Sequence, residues 1–295
     1  MNGLGKLTLQ PRKNELDGIT LREPVNLQNL DKCINSDLLL ENCRNPLAHF
    51  SNEKTQLLKY RDIIKSGFAT VTYNRVNGCE FGRSNPDQSL GLFPIRCEVR
   101  HTICDGMTDI DIANCHPEIL RQLLAGVCDC EILNQYCDDR EPYLTEVMQT
   151  YAVERWAAKV LFIRILYGGG FDAWAIENKT TGSELPFLRA FRKEVKRIAK
   201  FITDKNPLIK EYTNVRQTEK RAQWEKLSPE HKLKYPFKDK NINGTVLSYF
   251  LQEHEIRILE SLFLYCVENA YIKNNIAVLC ADGLQIMSVD YKPEI

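Results

Sequence analysis

From Glu154 to Gly170 the chain reads ERWAAKVLFIRILYGGG. The run holds no glycine or proline until three glycines close it, which predicts a helix with an abrupt stop. Arg155, Lys159 and Tyr167 follow one another at offsets of four and eight, so a helix stacks them on one side. The remaining residues are apolar and serve a core. A core does not account for two cations and a phenol aligned at its end, so these three are the first candidate functional residues.

The pattern on either side predicts a mixed α+β chain. Phe68–Val76 (FATVTYNRV) alternates and is rich in β-formers, so it reads as a strand. Residues 77–96 collect glycine, proline and asparagine and read as a loop. GMTDIDIANCHPEILRQLLAG, from Gly106 to Gly126, predicts a short strand passing into a helix, with Pro117 in the first turn, where no N–H is needed. Residues 141–170 are a long apolar helix or a broken pair. Residues 184–240 carry the charged runs RAFRKEVKRIAK and RQTEKRAQWEKLSPEHKLKYPFKDK, and the second reads as solvated and partly loop-like. Gly244–Lys273 is amphipathic, with Leu247, Leu251, Ile258, Leu262 and Cys266 in a stripe. Ile276–Val289 predicts a β-hairpin, because two apolar runs flank Ala281–Asp282–Gly283 and Asp-Gly is a strong hairpin turn. Residues 1–60 are polar and mixed, with helical hints at DLLLENC and NEKTQLLKYRDIIKSG.

Bulk charge excludes little. The 295 residues hold 39 basic and 39 acidic side chains. Any nucleic-acid footprint must therefore be local. The N-terminus lacks an apolar signal core, and no run approaches the length of a membrane span. Eleven cysteines, an odd number without secretory flanks, fit a reduced intracellular setting. Seven of them lie between Cys79 and Cys137, but no C-x-x-C pair occurs and Cys128 and Cys130 are two apart, which disfavours a zinc site.

Acids at strand ends supply the next candidates. Asp109 and Asp111 share one face of the expected strand, and Asp282 sits in the tip of an otherwise apolar hairpin. One reading makes them a strand end and a turn residue. The other places Asp111 and Asp282 around Mg²⁺, which takes one or two carboxylates together with substrate phosphates. Asp109 is the second-choice ligand.

Four segments in order resemble the motifs of family A DNA polymerases and the single-subunit phage RNA polymerases, closest in style to the diverged transposon- and virus-encoded branch. FGRSNPDQSLGLFPIRCEVRHTI is similar to the pre-palm motif, with Arg83, Arg96 and Arg100 in its basic positions. DIANCHPEIL from Asp111 resembles motif A, with His116 where DNA polymerases usually carry the glutamate that crowds the sugar 2′ position. RWAAKVLFIRILYG resembles the fingers helix, motif B. LCADGLQI resembles motif C but retains only its aspartate, and Gln252 in SYFLQEHE falls where the family places a primer-end glutamine.

The resemblance implies a right-hand palm of antiparallel sheet and helices, helical fingers, a reduced thumb and no exonuclease. The implied divisions are 1–78 (N-terminal helical or reduced thumb), 79–140 (palm with motif A), 141–243 (fingers) and 244–295 (palm with motif C). It implies two Mg²⁺ ions, or Mn²⁺, on Asp111, the Ile112 carbonyl and Asp282. Asp111, Asp282 and Lys159 would be catalytic. Arg155, Lys159, Ile163, Tyr167, Gly168 and His116 would meet the nucleotide, and Arg83, Arg96, Arg100 and Gln252 the primer–template. The implied activity is a DNA-dependent DNA polymerase of a virus or mobile element, acting on nucleoside triphosphates and primer–template nucleic acid, with a helicase or another replisome protein as partner and no membrane. Two alternatives stay open: a primase or RNA-synthesising enzyme, since the sugar-gate glutamate is missing, and an inactive nucleic-acid-binding relative, since motif C is reduced. His101 and His254 read as ordinary histidines.

Overall fold

The computed structural model describes residues 7–41, 50–75, 80–104, 106–239 and 241–288. Cys79, the first residues of the expected loop at 77–96 and the ends of the expected strand at Val76 and hairpin at Val289 lie outside the described residues. The fold is α+β, in two compact units. A sheet unit comprises Arg12–Ile112 and Glu253–Ile295, and a helical unit comprises Met1–Pro11 and Ala113–Gln252.

The sheet unit opens with β1 (Ile19–Pro24), α1 (Leu27–Ile34), α2 (Glu53–Asp62), β2 (Ile64–Lys65), β3 (Phe68–Asn74), β4 (Asn85–Pro86), α3 (Cys97–Ile103) and β5 (Met107–Asp111). Asparagine side chains start both early helices: Asn26 accepts from Asn29 N at 3.1 Å and Asn52 from Thr55 N at 2.8 Å, each satisfying an amide that the helix itself leaves unpaired. β1 pairs antiparallel with β3, from Ile19 opposite Tyr73 to Pro24 opposite Phe68. Leu21, Ala69, Val71 and Tyr73 turn inward from this pair. Glu23 turns inward with them and is fully buried. Within 1–78, expected as a helical or reduced-thumb region, three of the unit's strands, β1, β2 and β3, lie beside α1 and α2. The inward Glu23 breaks the apolar alternation by which β1 would be read.

The helical unit follows with α4 (Cys115–Leu124), α5 (Glu131–Asp138), α6 (Glu141–Tyr151), α7 (Arg155–Leu166), α8 (Phe171–Glu177), α9 (Pro186–Lys205), α10 (Pro207–Glu225), α11 (Pro229–Lys234) and the first part of α12 (Ile242–Glu268). Of the two forms expected for 141–170, the broken pair occurs, with the break at Ala152 in a left-handed conformation (φ 52°). The first charged run of 184–240 lies in α9; the second, expected as solvated and partly loop-like, holds the end of α10, α11 and the non-helical residues 226–228 and 235–239. The charges lie on exposed faces while Leu188, Phe191, Val195, Ile198 and Ile202 of α9 are buried. The core centres on aromatic contacts: Tyr136 stacks on Phe162 at 4.5 Å, and both meet Phe191. Buried Trp174 donates its indole N–H to the Ala157 carbonyl at 3.0 Å, which gives its polar atom a partner. Buried Asn206, between α9 and α10, accepts from Leu9 N and donates to the Leu7 carbonyl, so one amide pins the extended stretch before β1.

α12 continues into the sheet unit, which ends with β6 (Val278–Leu279) and β7 (Gly283–Met287). The hairpin forms where alternation and Asp-Gly place it, and β7 also pairs antiparallel with β5. Within the expected α12 stripe, Ile258 is exposed; Ile256, Leu259, Phe263 and Cys266 face the core of the sheet unit. Among the described residues no helix is long and apolar enough to cross a membrane.

Candidate functional site

The hairpin turn brings the two acids together in the sheet unit. Asp111 ends β5 opposite Gly283, the first residue of β7. The next amide, Ile112 N, donates to the Asp282 carbonyl at 2.9 Å and extends the pairing by one bond. A Cβ on Gly283 would lie 2.2 Å from the Ile110 carbonyl oxygen and 2.3 Å from Asp111 Oδ1. The glycine therefore leaves open the space in which the Asp111 carboxylate sits. In the sequence Gly283 stands only as a turn residue, because the cross-strand register that gives it this role is not visible there.

The electrostatics fit a cation. Burial raises the Asp111 carboxyl above the ordinary carboxylate range, and the negative charges of Asp282 and then Asp109 raise it further; Arg100 and His101 oppose them. Asp109 is already engaged by His101, whose Nε2 lies 3.0 Å from Oδ2. A divalent ion between Asp111 and Asp282 would relieve the repulsion that the strand pairing imposes. His101, read as an ordinary histidine, thus takes its place beside the acids.

The other basic residues expected near nucleic acid are committed within this unit. Arg83 makes a two-pronged pair with buried Glu255, at 3.0 and 2.8 Å. Arg96 pairs with Glu53 at 2.9 Å and donates to the Leu38 carbonyl. Arg100 donates to the Phe93 carbonyl at 3.2 Å.

In the helical unit, one face of α7 is buried through Ala157, Ala158, Leu161, Phe162, Ile165 and Leu166. The opposite face carries the stack expected from the spacing. Trp156, Lys159, Val160, Ile163, Arg164, Tyr167 and Gly169 line an open groove of about 690 Å³. Trp156 is 62% exposed. Among the described residues no acid pairs with Lys159, whereas Arg155 is bound to Glu141 and Arg164 to Glu177. The Tyr167 hydroxyl meets His116 Nδ1, with the rings edge to face at 5.8 Å. This bond joins the end of α7 to the start of α4 through two residues that the motif order had selected separately.

Gly168 follows with φ 77°, a conformation that favours glycine. Behind it α12 begins so close that a Cβ on Gly244 would lie 2.1 Å from the Tyr167 carbonyl oxygen. A smaller cleft of about 350 Å³ there is lined by Tyr167, Gly168, Asn241, Gly244 and Ser248, among others. Gln252 lies two turns along from Thr245 and donates to Ser248 at 3.0 Å. Trp156 and Gly244 escape motif reading: the first occupies a position that a core also accepts, and the second matters only through a contact with a distant carbonyl.

No family model matches the sequence. Among curated proteins the chain is similar to "Putative helicase V13" of Sputnik virophage, 25% identical over 309 aligned residues. The alignment covers 98% of this chain and 35% of that protein, so the chain spans about a third of its relative's length. This similarity sets the chain beside a viral protein named for nucleic-acid work. It also corrects the activity drawn from the motif order: the relative is named a helicase, so the DNA-directed DNA polymerase reading, with its primase and inactive-polymerase alternatives, gives way. The motif order had weighed single aspartates and one helix face, which metal- and phosphate-binding sites of several kinds share.

Proposed function

We propose that this chain is a nucleic-acid-handling module of a viral helicase-type protein, holding a divalent cation, Mg²⁺ first, between Asp111 and Asp282. The observation that carries the reading is the placement of Asp111 beside the Asp282 turn over a glycine that leaves room for the carboxylate. Bound there, a cation would accept phosphate oxygens of a polynucleotide or nucleotide. The chain contains no Gly-x-x-x-x-Gly-Lys-Ser/Thr phosphate loop, so the reading assigns ATP-driven unwinding to none of its residues. The exposed face of α7 supports the same setting. It offers an aromatic side chain and a lysine that pairs with no acid among the described residues, a combination that suits bases and phosphates.

Calorimetric titration with Mg²⁺ and Mn²⁺, and fluorescence anisotropy with a labelled oligonucleotide, test the reading. The wild-type protein is expected to bind one or more divalent ions, to lose that binding on Asp282→Asn, and to hold the oligonucleotide more tightly when the metal is present. Metal binding that survives Asp282→Asn, or an oligonucleotide that never binds, overturns it.

A further inference from the structure

A clear segregation of charge lies outside both sites. α9 carries six cations on its exposed side: Arg189, Arg192, Lys193, Lys196, Arg197 and Lys200. At about 100° per residue they fall within an arc of roughly 140°, while Phe191, Val195, Ile198 and Ile202 occupy the opposite side. The stripe runs for roughly 16 Å along the helix axis, the rise of about five phosphates of one strand. In a chain with 39 basic and 39 acidic residues, such a stripe is a local departure from neutrality.

The acids of this region are turned to other work. Glu194, on the same helix, spends its carboxylate on the amides of Ile132 and Leu133, at 3.3 and 2.7 Å, and so caps α5. Glu184, mostly buried, holds Arg192 at 2.6 Å and Arg189 at 3.9 Å. Arg197 is anchored on the Asp129 carbonyl, and Lys200 pairs with Asp204. Among the described residues Lys193 and Lys196, near the centre of the arc, pair with no acid. Fixed arginines thus flank two uncommitted ammonium groups.

We infer that the exposed face of α9 is a docking stripe for the phosphate backbone of a nucleic acid, with Lys193 and Lys196 as its principal contacts. Charge complementarity selects the partner: a row of cations without an apolar rim suits a repeating polyanion and reads no base edge. The inference rests on the module reading above and extends it by naming a second, metal-independent surface.

The test measures binding of a fluorescein-labelled single-stranded oligodeoxynucleotide and of its duplex between about 50 and 200 mM salt. Lys193→Gln/Lys196→Gln is compared with wild type and with Lys32→Gln/Lys54→Gln, which removes the same charge from the sheet unit. All four lysines are exposed, and circular dichroism checks that each variant folds. The α9 variant should weaken binding about 10-fold or more at 0.1 M salt, alike for different sequences, and flatten the slope of log K against log[salt] by about two. The control should leave slope and affinity close to wild type. Unchanged binding by the α9 variant, or equal loss in the control, overturns the stripe while the metal-site reading stands. Loss of binding to anionic lipid vesicles with no loss for the oligonucleotide also overturns it. A wild-type protein that binds no oligonucleotide overturns the module reading itself.

Discussion

Gly283 faces Asp111 across the β5–β7 pairing with no room for a side chain: a Cβ there would meet Asp111 Oδ1 at 2.3 Å and the Ile110 carbonyl at 2.2 Å. The second contact is with backbone, so a rotamer change does not relieve it. Gly283→Ala should therefore push the strands apart where Asp111 lies beside the Asp282 turn. The expected cost is on the order of 2 kcal/mol of stability, together with a loss of Mn²⁺ affinity as large as that from Asp282→Asn. Urea denaturation and calorimetry measure both. An alanine variant with wild-type stability and metal affinity would show that the strands part at this point without cost.

Glu23 gives the sheet unit a built-in pH dependence. Its carboxylate oxygens accept from the hydroxyls of Tyr60 and Tyr73 and from Leu92 N, joining β1, α2, β3 and the loop after β4. Burial nonetheless outweighs those bonds and pushes the carboxyl up to about 7, from 4.5. Between those two values the folded chain keeps a proton that the unfolded chain has released. Stability from this group is therefore greatest below about pH 4.5, declines as pH rises through 7, and is fully lost above it. The difference is on the order of 3 kcal/mol. Glu23→Gln should flatten that slope and make the protein more stable than wild type at about pH 8, but not at about pH 5. Urea midpoints across this range would decide it, and parallel slopes in the two proteins would refute it.

The helical unit has its own tight contact. Gly244→Ala sets a Cβ 2.1 Å from the Tyr167 carbonyl, so the α7 terminus must shift and the Tyr167–His116 bond with it. We expect a loss of roughly 1–3 kcal/mol, against about 1 kcal/mol for Tyr167→Phe, which removes the hydroxyl alone. Thermal melts of the two variants provide the comparison. A Gly244→Ala melt no lower than that of Tyr167→Phe would show that the helix start gives way freely.

What the sequence disclosed follows from which forces act locally. The β6–β7 hairpin was legible because alternation and Asp-Gly agree, and α7 because its apolar run ends in glycines. β1 was not, since Glu23 occupies an inward position and reads as a surface residue until the two tyrosines that receive it are known. The helices of 184–240 were hidden by their charge count, although α9 alone buries a full apolar side. Ile258 matched the period of α12 yet faces solvent, because two offsets fit the same stripe and only packing selects between them. At the site, Asp111 and Asp282 stood out as chemistry in unexpected places. The roles of Gly283 and Gly244 depend on contacts with residues far away in the chain. Motif order alone mistook the activity.

β5 and β7 are neighbours in one small sheet, yet Asp111 and Asp282 are 171 residues apart, and among the described residues β5 has no other strand partner. During synthesis β5 emerges from the ribosome well before β7 and stays unpaired until the helices between them have followed. Most of the helical unit, residues 113–252, is made in between and can form its helix–helix contacts before β7 appears. The pairing that sets Asp111 beside Asp282 therefore waits on the β6–β7 hairpin, and a nascent chain stalled before that hairpin carries the intervening helices without the acid pair.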